Sequence, residues 1–384
     1  MKNILYITEE SPFPAYGGGR IRRYGILKAL SASGYRVHAI VGNKFKINFD
    51  HYKIKNISFY QYNYNEGKSR IIPRYFKIFK KNKKLIRLVN KVMAGCKIDI
   101  AFLDCFFIGQ YISFFKKRNI PVILGTENAQ SQLARMKQEK KPLKKVEKYT
   151  NYFLQALHER IFFNRADTVI VVSNNDLQFH NKFVSASKLE IIPNFLDFSR
   201  YPAREEKNNY IIMTGSFRAY QNKAGLTWFL ENVWDEDLSQ LTKFIAAGYY
   251  SSELLEEIKR KNGNLKNVDS AGEVEDITPY ISQAKIAIVP LLHGSGSRIK
   301  ILEAMALKTL VISTTKGAEG IEHENSIIIA DQAGDFKKEI LKVIRGNNHG
   351  FYKTLTEKAY QIALGKYSLE VNRIKLERIL NRFH

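Results

Sequence analysis

The chain has 384 residues, 45% of them hydrophobic and 26% charged, which excludes wholesale disorder and points to two domains at roughly 150 residues each. Its two cysteines, Cys96 and Cys105, cannot build a disulfide framework and match no zinc spacing, so a reducing, cytosolic setting is expected. The net charge of +24 is uneven: residues 1–200 hold 36 Lys+Arg against 14 Asp+Glu, whereas 201–384 hold 25 against 23. An anionic surface therefore meets the first half of the chain.

No segment approaches the roughly 18–20 consecutive apolar residues of a membrane span. The opening MKNILYITEE is a short apolar run closed by acids. It reads as a buried first strand and not as a signal peptide. The expected location is the cytoplasm, with any membrane contact peripheral and from the inner face.

The first strand is expected at 4–8. A loop with Gly17, Gly18 and Gly19 follows, then a helix carrying Ile21, Tyr24, Leu27 and Leu30 at helical spacing and stopping at Gly34. YRVHAIVG is the second strand; strand, helix and strand with a short crossover imply a parallel sheet. Further strands are expected at 98–103, 120–124 and 167–172, with a helix over 149–165. The polar stretch 203–209 is the linker candidate. A second alternating series follows: strand 210–214, helix 223–234, strand 242–247, helix 251–261, strand 286–290, helix 298–307, strand 309–313 and a helix near 335–345. The expected fold class is α/β, two Rossmann-like doubly wound domains facing across a cleft, with ligands at the carboxyl ends of the strands.

The stretch 286–320 carries most of the chemistry. An apolar strand ends at Pro290, a turn of Gly294, Ser295, Gly296 and Ser297 follows, and a helix opens near Arg298. Glycines let a phosphate approach the backbone, a helix start offers free N–H groups, and Arg298 and Lys300 add positive charge. These features describe an anion site, most simply for a diphosphate; the alternative is a plain strand-to-helix turn.

GSGSRIKILEAMA (294–306) with GAEG (317–320) resembles the signature of the GT-B glycosyltransferases, in the branch grouped as family 4. The resemblance extends to the Gly17–Arg20 loop, IPNFLD (192–197), GSF (215–217) and AGEVEDI (271–277). It implies a first domain, 1–203 with 368–384 crossing back, that takes the acceptor. It implies a second, 204–367, that takes a nucleotide-sugar. Glu303 matches the family glutamate on the nucleotide ribose, a role that suits a carboxylate facing a vicinal diol. The backbone around Gly296, Ser297 and Arg298 matches the diphosphate cradle, and Arg218 and Lys223 are the local candidates for the Arg and Lys after the GSF-like strand. Gly18, Gly19, Gly215, Ser216, Glu273, Val274 and Gly294 complete the expected donor site.

Two positions depart from the family pattern. Ser295 stands where many relatives carry a glutamate contacting the transferred sugar. Glu127, in Glu-Asn-Ala-Gln-Ser (127–131), stands where relatives often have His. A carboxylate there can still polarise an acceptor hydroxyl.

Residues 68–91 contain ten Lys+Arg and no acid, with Ile78, Leu85, Leu88 and Val92 on one apolar stripe. A second basic cluster runs through 137–148. Basic amphipathic segments bind anionic lipid, so Arg74, Lys77, Lys80, Lys81, Lys83 and Lys84 are expected to form a membrane and acceptor surface, with the apolar residues inserting shallowly. No zinc finger, RNP-like motif or recognition helix supports a nucleic-acid partner. Asp235 and Asp237 imitate a metal motif but follow an amphipathic stretch, so an exposed acidic turn is expected; no histidine has metal spacing. The expected activity is metal- and cofactor-free transfer of a hexose-type sugar from a nucleotide-sugar to an acceptor hydroxyl, with retention of configuration. The acceptor is expected to be lipid-linked or a saccharide. Two alternatives stand beside it: an inactive GT-B subunit that binds a partner or membrane, and a GT-B nucleotide-sugar epimerase.

Overall fold

The computed structural model describes residues 1–15, 17–43, 47–63, 81–136, 142–263, 265–294, 298–346 and 349–383. Contacts divide the chain into a first unit, Met1–Ala15 with Gly19–Pro193 and Asn372–His384, and a second built on Asn194–Val371.

The first unit is a seven-stranded, all-parallel sheet. Its strands are β1 (Asn3–Thr8), β2 (Arg36–Asn43), β3 (Ile57–Asn63), β4 (Ile100–Asp104), β5 (Val122–Gly125), β6 (Thr168–Val171) and β7 (Leu189–Ile191), in the order β3-β2-β1-β4-β5-β6-β7. The helices are α1 (Gly18–Ala32), α2 (Lys83–Gly95), α3 (Ile112–Lys116), α4 (Gln130–Met136), α5 (Pro142–Arg165) and α6 (Asn174–His180). The central strands are apolar throughout because helices cover both faces of a parallel sheet. Ile4, Leu5, Tyr6 and Ile7 of β1 are fully buried. The strand order reverses between β1 and β4, so the crevice of this unit opens beyond Thr8 and Asp104.

The second unit repeats the plan. It has β8 (Asn208–Thr214), β9 (Lys243–Ala247), β10 (Val268–Gly272), β11 (Ala284–Val289), β12 (Leu310–Ser313) and β13 (Ile328–Ile329). Their order is β10-β9-β8-β11-β12-β13, with the reversal between β8 and β11. Its helices are α7 (Tyr220–Asn232), α8 (Glu236–Leu241), α9 (Ser251–Asn262), α10 (Thr278–Gln283), α11 (Ile299–Ala306), α12 (Ala333–Ile344) and α13 (His349–Tyr367). The last helix, α14 (Leu369–Leu380), starts in this unit and continues into the first.

The boundary falls earlier than the polar linker suggests. Leu196 N–H donates to Tyr367 O and Leu369 N–H to Leu196 O, both at 2.8 Å, so residues from Asn194 onward are bonded into the second unit. The return crossing falls after Val371 rather than at 368. Asp235 caps α8 through Leu238 N–H, and Asp235 and Asp237 both accept from Lys337 Nζ, which places this pair in a surface ion-pair network.

The basic segment needs a correction. Arg74, Lys77 and Lys80 lie outside the described residues, as does Ile78; Lys81, Lys83 and Lys84 are described, and Lys83 and Lys84 are exposed at the start of α2. The apolar face of α2 is not available for insertion. Leu85, Val89 and Val92 are buried in the core of the first unit, and Ile86 and Leu88 pack against it. The helix stripe that looked amphipathic toward lipid is the ordinary stripe that seats a helix on a sheet. Leu85→Ala should therefore destabilise the first unit by about 2–5 kcal/mol. Thermal unfolding followed by circular dichroism reads this as a lowered first transition; an unchanged transition would show that Leu85 is not core.

Candidate active site

In the first unit, the carboxyl ends of β1, β4 and β5 bring together Glu10, Asp104 and Glu127 around two arginines from α1. Arg23 is buried and forked. Its Nη1 donates to Glu10 Oε2 at 3.0 Å and its Nη2 to Glu127 Oε1. Arg20 Nε reaches Glu10 Oε1 at 3.2 Å. Burial pulls the Arg23 guanidinium down, but Glu127, Cys105 and Asp104 outweigh it and hold it raised. Asp104 accepts from the hydroxyl of Tyr6, whose phenol burial and Asp104 push well up. Gly19 sits against this pair: a Cβ there would lie 3.0 Å from Arg23 Nη1 and 3.1 Å from Glu127 Oε1. Gly19 and Glu127, named separately from the sequence, thus meet at one point. Gly18, next in the chain, opens α1. The ion pair fixes Glu127, leaving a placed hydrogen-bond acceptor.

The loop that carries Glu127 is pinned from behind. Thr126 Oγ1 donates to Ile170 O at 3.2 Å, and Ala129 N–H to Asp176 Oδ1 at 3.3 Å. Ser131 gives both its N–H, at 3.2 Å, and its hydroxyl to Glu159 of α5. Burial pushes the Glu159 carboxyl up to about 7, against the Ser131 hydrogen bonds that favour its ionised form. Sequence reasoning missed Arg23, Glu10, Asp104, Glu159 and Asp176, because nothing in their spacing marks them as neighbours.

A raised folded pKa means that the Glu159 contribution to stability is complete below the unfolded value near 4.5 and is lost as pH rises through 7. The swing is on the order of 3 kcal/mol. Glu159→Gln cannot ionise, so its melting temperature should gain on that of the unaltered protein between pH 5 and pH 8. Scanning calorimetry at both pH values tests this, and a difference that does not move with pH would show that Glu159 does not titrate there.

In the second unit, β8 ends at Thr214 and the chain turns through Gly215 and Ser216. Gly215 adopts φ +145°, and a Cβ there would lie 2.8 Å from Asn222 Nδ2 and 3.0 Å from Lys300 Nζ. Lys300, from the first turn of α11, is half-buried; its Nζ donates to Thr214 O at 2.7 Å and Asn222 Oδ1 at 2.8 Å. Burial, then Arg298, pushes the Lys300 ammonium down to about 7. Asn222 Nδ2 in turn holds Ser216 O at 2.9 Å. Arg298 is buried at the N-cap of α11, where no side chain caps the helix. Burial lowers its guanidinium, with Glu319 opposing. A Cβ on Gly294 would stand 3.0 Å from Arg298 Nη2. Lys300, Arg298 and the two glycine turns thus gather at the β8–β11 switch point.

Glu303, one turn along α11, is buried and accepts from Tyr201 Oη at 3.2 Å. Burial pushes its carboxyl up to about 7; the Tyr201 bond and Lys300 oppose this. Ser295, Gly296 and Ser297 lie outside the described residues. Glu273 is exposed and Val274 half-buried, just after β10. Two expected cations point elsewhere. Lys223 Nζ pairs with Glu257 Oε2 at 2.7 Å, and the Arg218 guanidinium lies 4.0 Å from the centroid of the Tyr250 ring. Asn222, beside Lys223, faces inward in its place. Among the described residues no group of three or more His, Cys, Asp or Glu is placed to hold a metal ion.

Two family models match the chain. Residues 16–200 match "Glycosyltransferase Family 4" and 208–346 match "Glycosyl transferases group 1". The chain belongs to the family 4, group 1 glycosyltransferases. This glycosyltransferase is 21% identical over 359 residues to a Klebsiella pneumoniae protein described as an "Uncharacterized 44.6 kDa protein in cps region", covering 89% of this chain and 90% of that protein. Its fold is similar to that of sucrose-phosphate synthase from Thermosynechococcus elongatus, with a TM-score of 0.76, 15% identity and coverage of 100% and 99%. It is also similar to Anabaena HepE in complex with UDP-glucose (TM-score 0.72, 14% identity, both chains covered fully). A third similar structure is WaaG, a glycosyltransferase involved in lipopolysaccharide biosynthesis (TM-score 0.70, 15% identity, coverage of 98% and 99%). The two parallel α/β sheets therefore form a GT-B fold.

Proposed function

We propose that this glycosyltransferase moves a sugar from a nucleotide-sugar to an acceptor hydroxyl in bacterial surface polysaccharide or glycolipid assembly, without a metal ion and with retention of configuration. The observation that carries the reading is a pair of cations, the buried Arg298 and the half-buried Lys300, at the β8–β11 switch point between the Gly215 and Gly294 turns. Two like charges at a helix start are relieved by an anion of matching size, and a nucleoside diphosphate supplies it. Glu303 takes the ribose hydroxyls, and Asn222 rather than Lys223 supports the mouth from α7. The sugar–phosphate bond breaks as the acceptor oxygen bonds to the anomeric carbon, the nucleoside diphosphate leaves, and the hydroxyl proton departs to Glu127 or to the leaving phosphate. Arg298, Lys300 and the backbone of the turn stabilise the departing charge. HepE was solved with UDP-glucose, and the "cps region" and lipopolysaccharide descriptions of two relatives support the pathway class. The excess charge of the first half supports an acceptor met at an anionic cytosolic leaflet, with the protein cytoplasmic and peripheral there. Among the described residues no helix is long and apolar enough to cross a membrane.

Incubation with a panel of UDP-, GDP- and ADP-sugars should yield turnover of one donor class, and turnover should survive EDTA. Loss with EDTA and recovery with Mn²⁺ would overturn the metal-free reading; epimerised donor with no released diphosphate would favour the epimerase.

Arg298→Ala should weaken binding of both nucleotide-sugar and nucleoside diphosphate by about 10- to 100-fold, the loss of a charge-assisted contact, while leaving the bare nucleoside unaffected. Calorimetry on the three ligands decides it. Equal losses for nucleoside and diphosphate would show that Arg298 does not read phosphate.

A further inference from the structure

Helix α5 carries two apolar faces, and only one of them is used by the core. His158, Glu159, Phe162 and Phe163 are buried against the first unit. Val146, Tyr149, Phe153 and Leu157 are not: they are 65%, 62%, 64% and 37% exposed. At 100° per residue their spacing of three, four and four places them in a stripe roughly 80° wide, away from the buried side chains. No other described helix exposes more than one large apolar side chain.

Position and charge both bear on what covers this stripe. A helix between parallel strands runs antiparallel to them, so the start of α5 lies at the carboxyl ends of β5 and β6. Its 24 residues span about 36 Å, whereas the four residues of β5 span about 13 Å. The buried residues lie in the second half, beside the sheet. The half with Val146, Tyr149 and Phe153 reaches past the sheet on the edge where Glu127 stands. That end is basic: residues 137–148 contain six lysines and two glutamates. Lys145 is exposed beside the stripe, and Lys148 Nζ lies 5.5 Å from the centroid of the Tyr149 ring.

We propose that this stripe is the surface by which the first unit docks on an anionic lipid leaflet. Val146, Tyr149 and Phe153 enter the headgroup–acyl boundary, and Lys145, exposed at the border of the stripe, engages lipid phosphate. Such a helix lies in the interface plane on its apolar side, with basic residues at the headgroups. The inference rests on the proposed membrane-borne acceptor and gives it a geometry. Docking on α5 turns the carboxyl edge of the sheet, with Glu127, toward the leaflet.

Two full-length variants test it. Val146→Ser/Tyr149→Ser/Phe153→Ser removes the stripe and touches no residue of the donor site, so its nucleotide-sugar affinity and melting temperature serve as controls. Its co-sedimentation with phosphatidylglycerol-containing vesicles should fall at least tenfold. Phe153→Trp adds a reporter in the first unit, since Trp228 and Trp234 belong to the second. The added emission should shift to the blue on anionic vesicles and be quenched by acyl-chain-brominated phosphatidylglycerol, with little change on neutral phosphatidylcholine. If the introduced indole stays unquenched on protein that still pellets, the stripe is overturned while the peripheral location stands. Unaltered protein that fails to pellet with anionic vesicles overturns both. A triple variant that pellets fully, or that only converts a dimer to a monomer in sedimentation, also overturns the proposal, the latter in favour of a second copy as the occupant. Absence of turnover on any nucleotide-sugar, with the introduced indole still quenched, removes the catalytic reading and not this one.

Discussion

A half-buried ammonium organises the second unit. Removing a charge from water costs several kcal/mol unless fixed dipoles replace the solvent, and for Lys300 the replacements are Thr214 O and Asn222 Oδ1. Those two bonds hold the end of β8 and the start of α7 to α11, elements distant in sequence. Asn222 passes the constraint on to Ser216 O, and Gly215 has to lack a side chain because Lys300 Nζ and Asn222 Nδ2 occupy its place. Neighbouring Gly248 N–H bonds Gly272 O at 2.7 Å, and Gly215 N–H bonds Ala247 O at 3.1 Å, so the carboxyl ends of β8, β9 and β10 are tied in one row. A turn built this way does not need to rearrange when a phosphate approaches it. Desolvation, and then Arg298, depresses the Lys300 ammonium, so an anion seated beside it would raise its hold on a proton.

The first unit solves the opposite problem. There Arg23 is compensated by Glu10 and Glu127, and Asp104 is satisfied by Tyr6. One crevice gathers Arg298 and Lys300 at its glycine turns, and the other is internally neutralised around a placed carboxylate. That division suits a reaction in which one substrate carries a diphosphate and the other presents a hydroxyl. The precision of Glu127 depends on groups that never reach the crevice. Glu159 and Asp176 hold the loop at Ser131 and Ala129, so the position of the carboxylate is set by two further buried acids.

The alternating apolar runs carried the fold in the sequence. The central strands are hydrophobic on both faces, and 4–8, 98–103, 120–124, 210–214 and 286–290 all read as strands for that reason. The edge strands did not: β3, β7 and β10 mix polar and apolar residues, and β13 is only two residues long. In the site, Gly294, Arg298, Lys300 and Glu303 were legible because they lie within ten residues, on one turn and the helix it feeds. Asn222 was not, although Lys223 was singled out beside it. One helical step rotates a side chain by about 100°, enough to exchange the residue that bonds Lys300 for one that pairs outward with Glu257. Buried acids such as Asp104 and Glu159 are recognisable only once the topology brings their partners from other elements.

The two basic helices of the first unit show why an apolar stripe in sequence does not say what it faces. On α2 the stripe of Leu85, Val89 and Val92 is single, and a single stripe on a helix beside a sheet belongs to the core. On α5 the apolar residues fall on different faces, so they cancel in any measure that sums hydrophobicity as one direction, and the helix reads as merely polar and basic. Length separates the two faces. A helix roughly three times as long as its strand can lie on the sheet for only part of its course, and the rest packs on α4 with one face left open. The antiparallel course of the crossover then fixes which end overhangs. For α5 it is the lysine-rich start, at the carboxyl edge where the ligand-facing loops of a parallel sheet gather. Charge, exposed apolar side chains and the Glu127 loop are thus brought to one edge of the sheet by backbone geometry, before any property of a partner is considered.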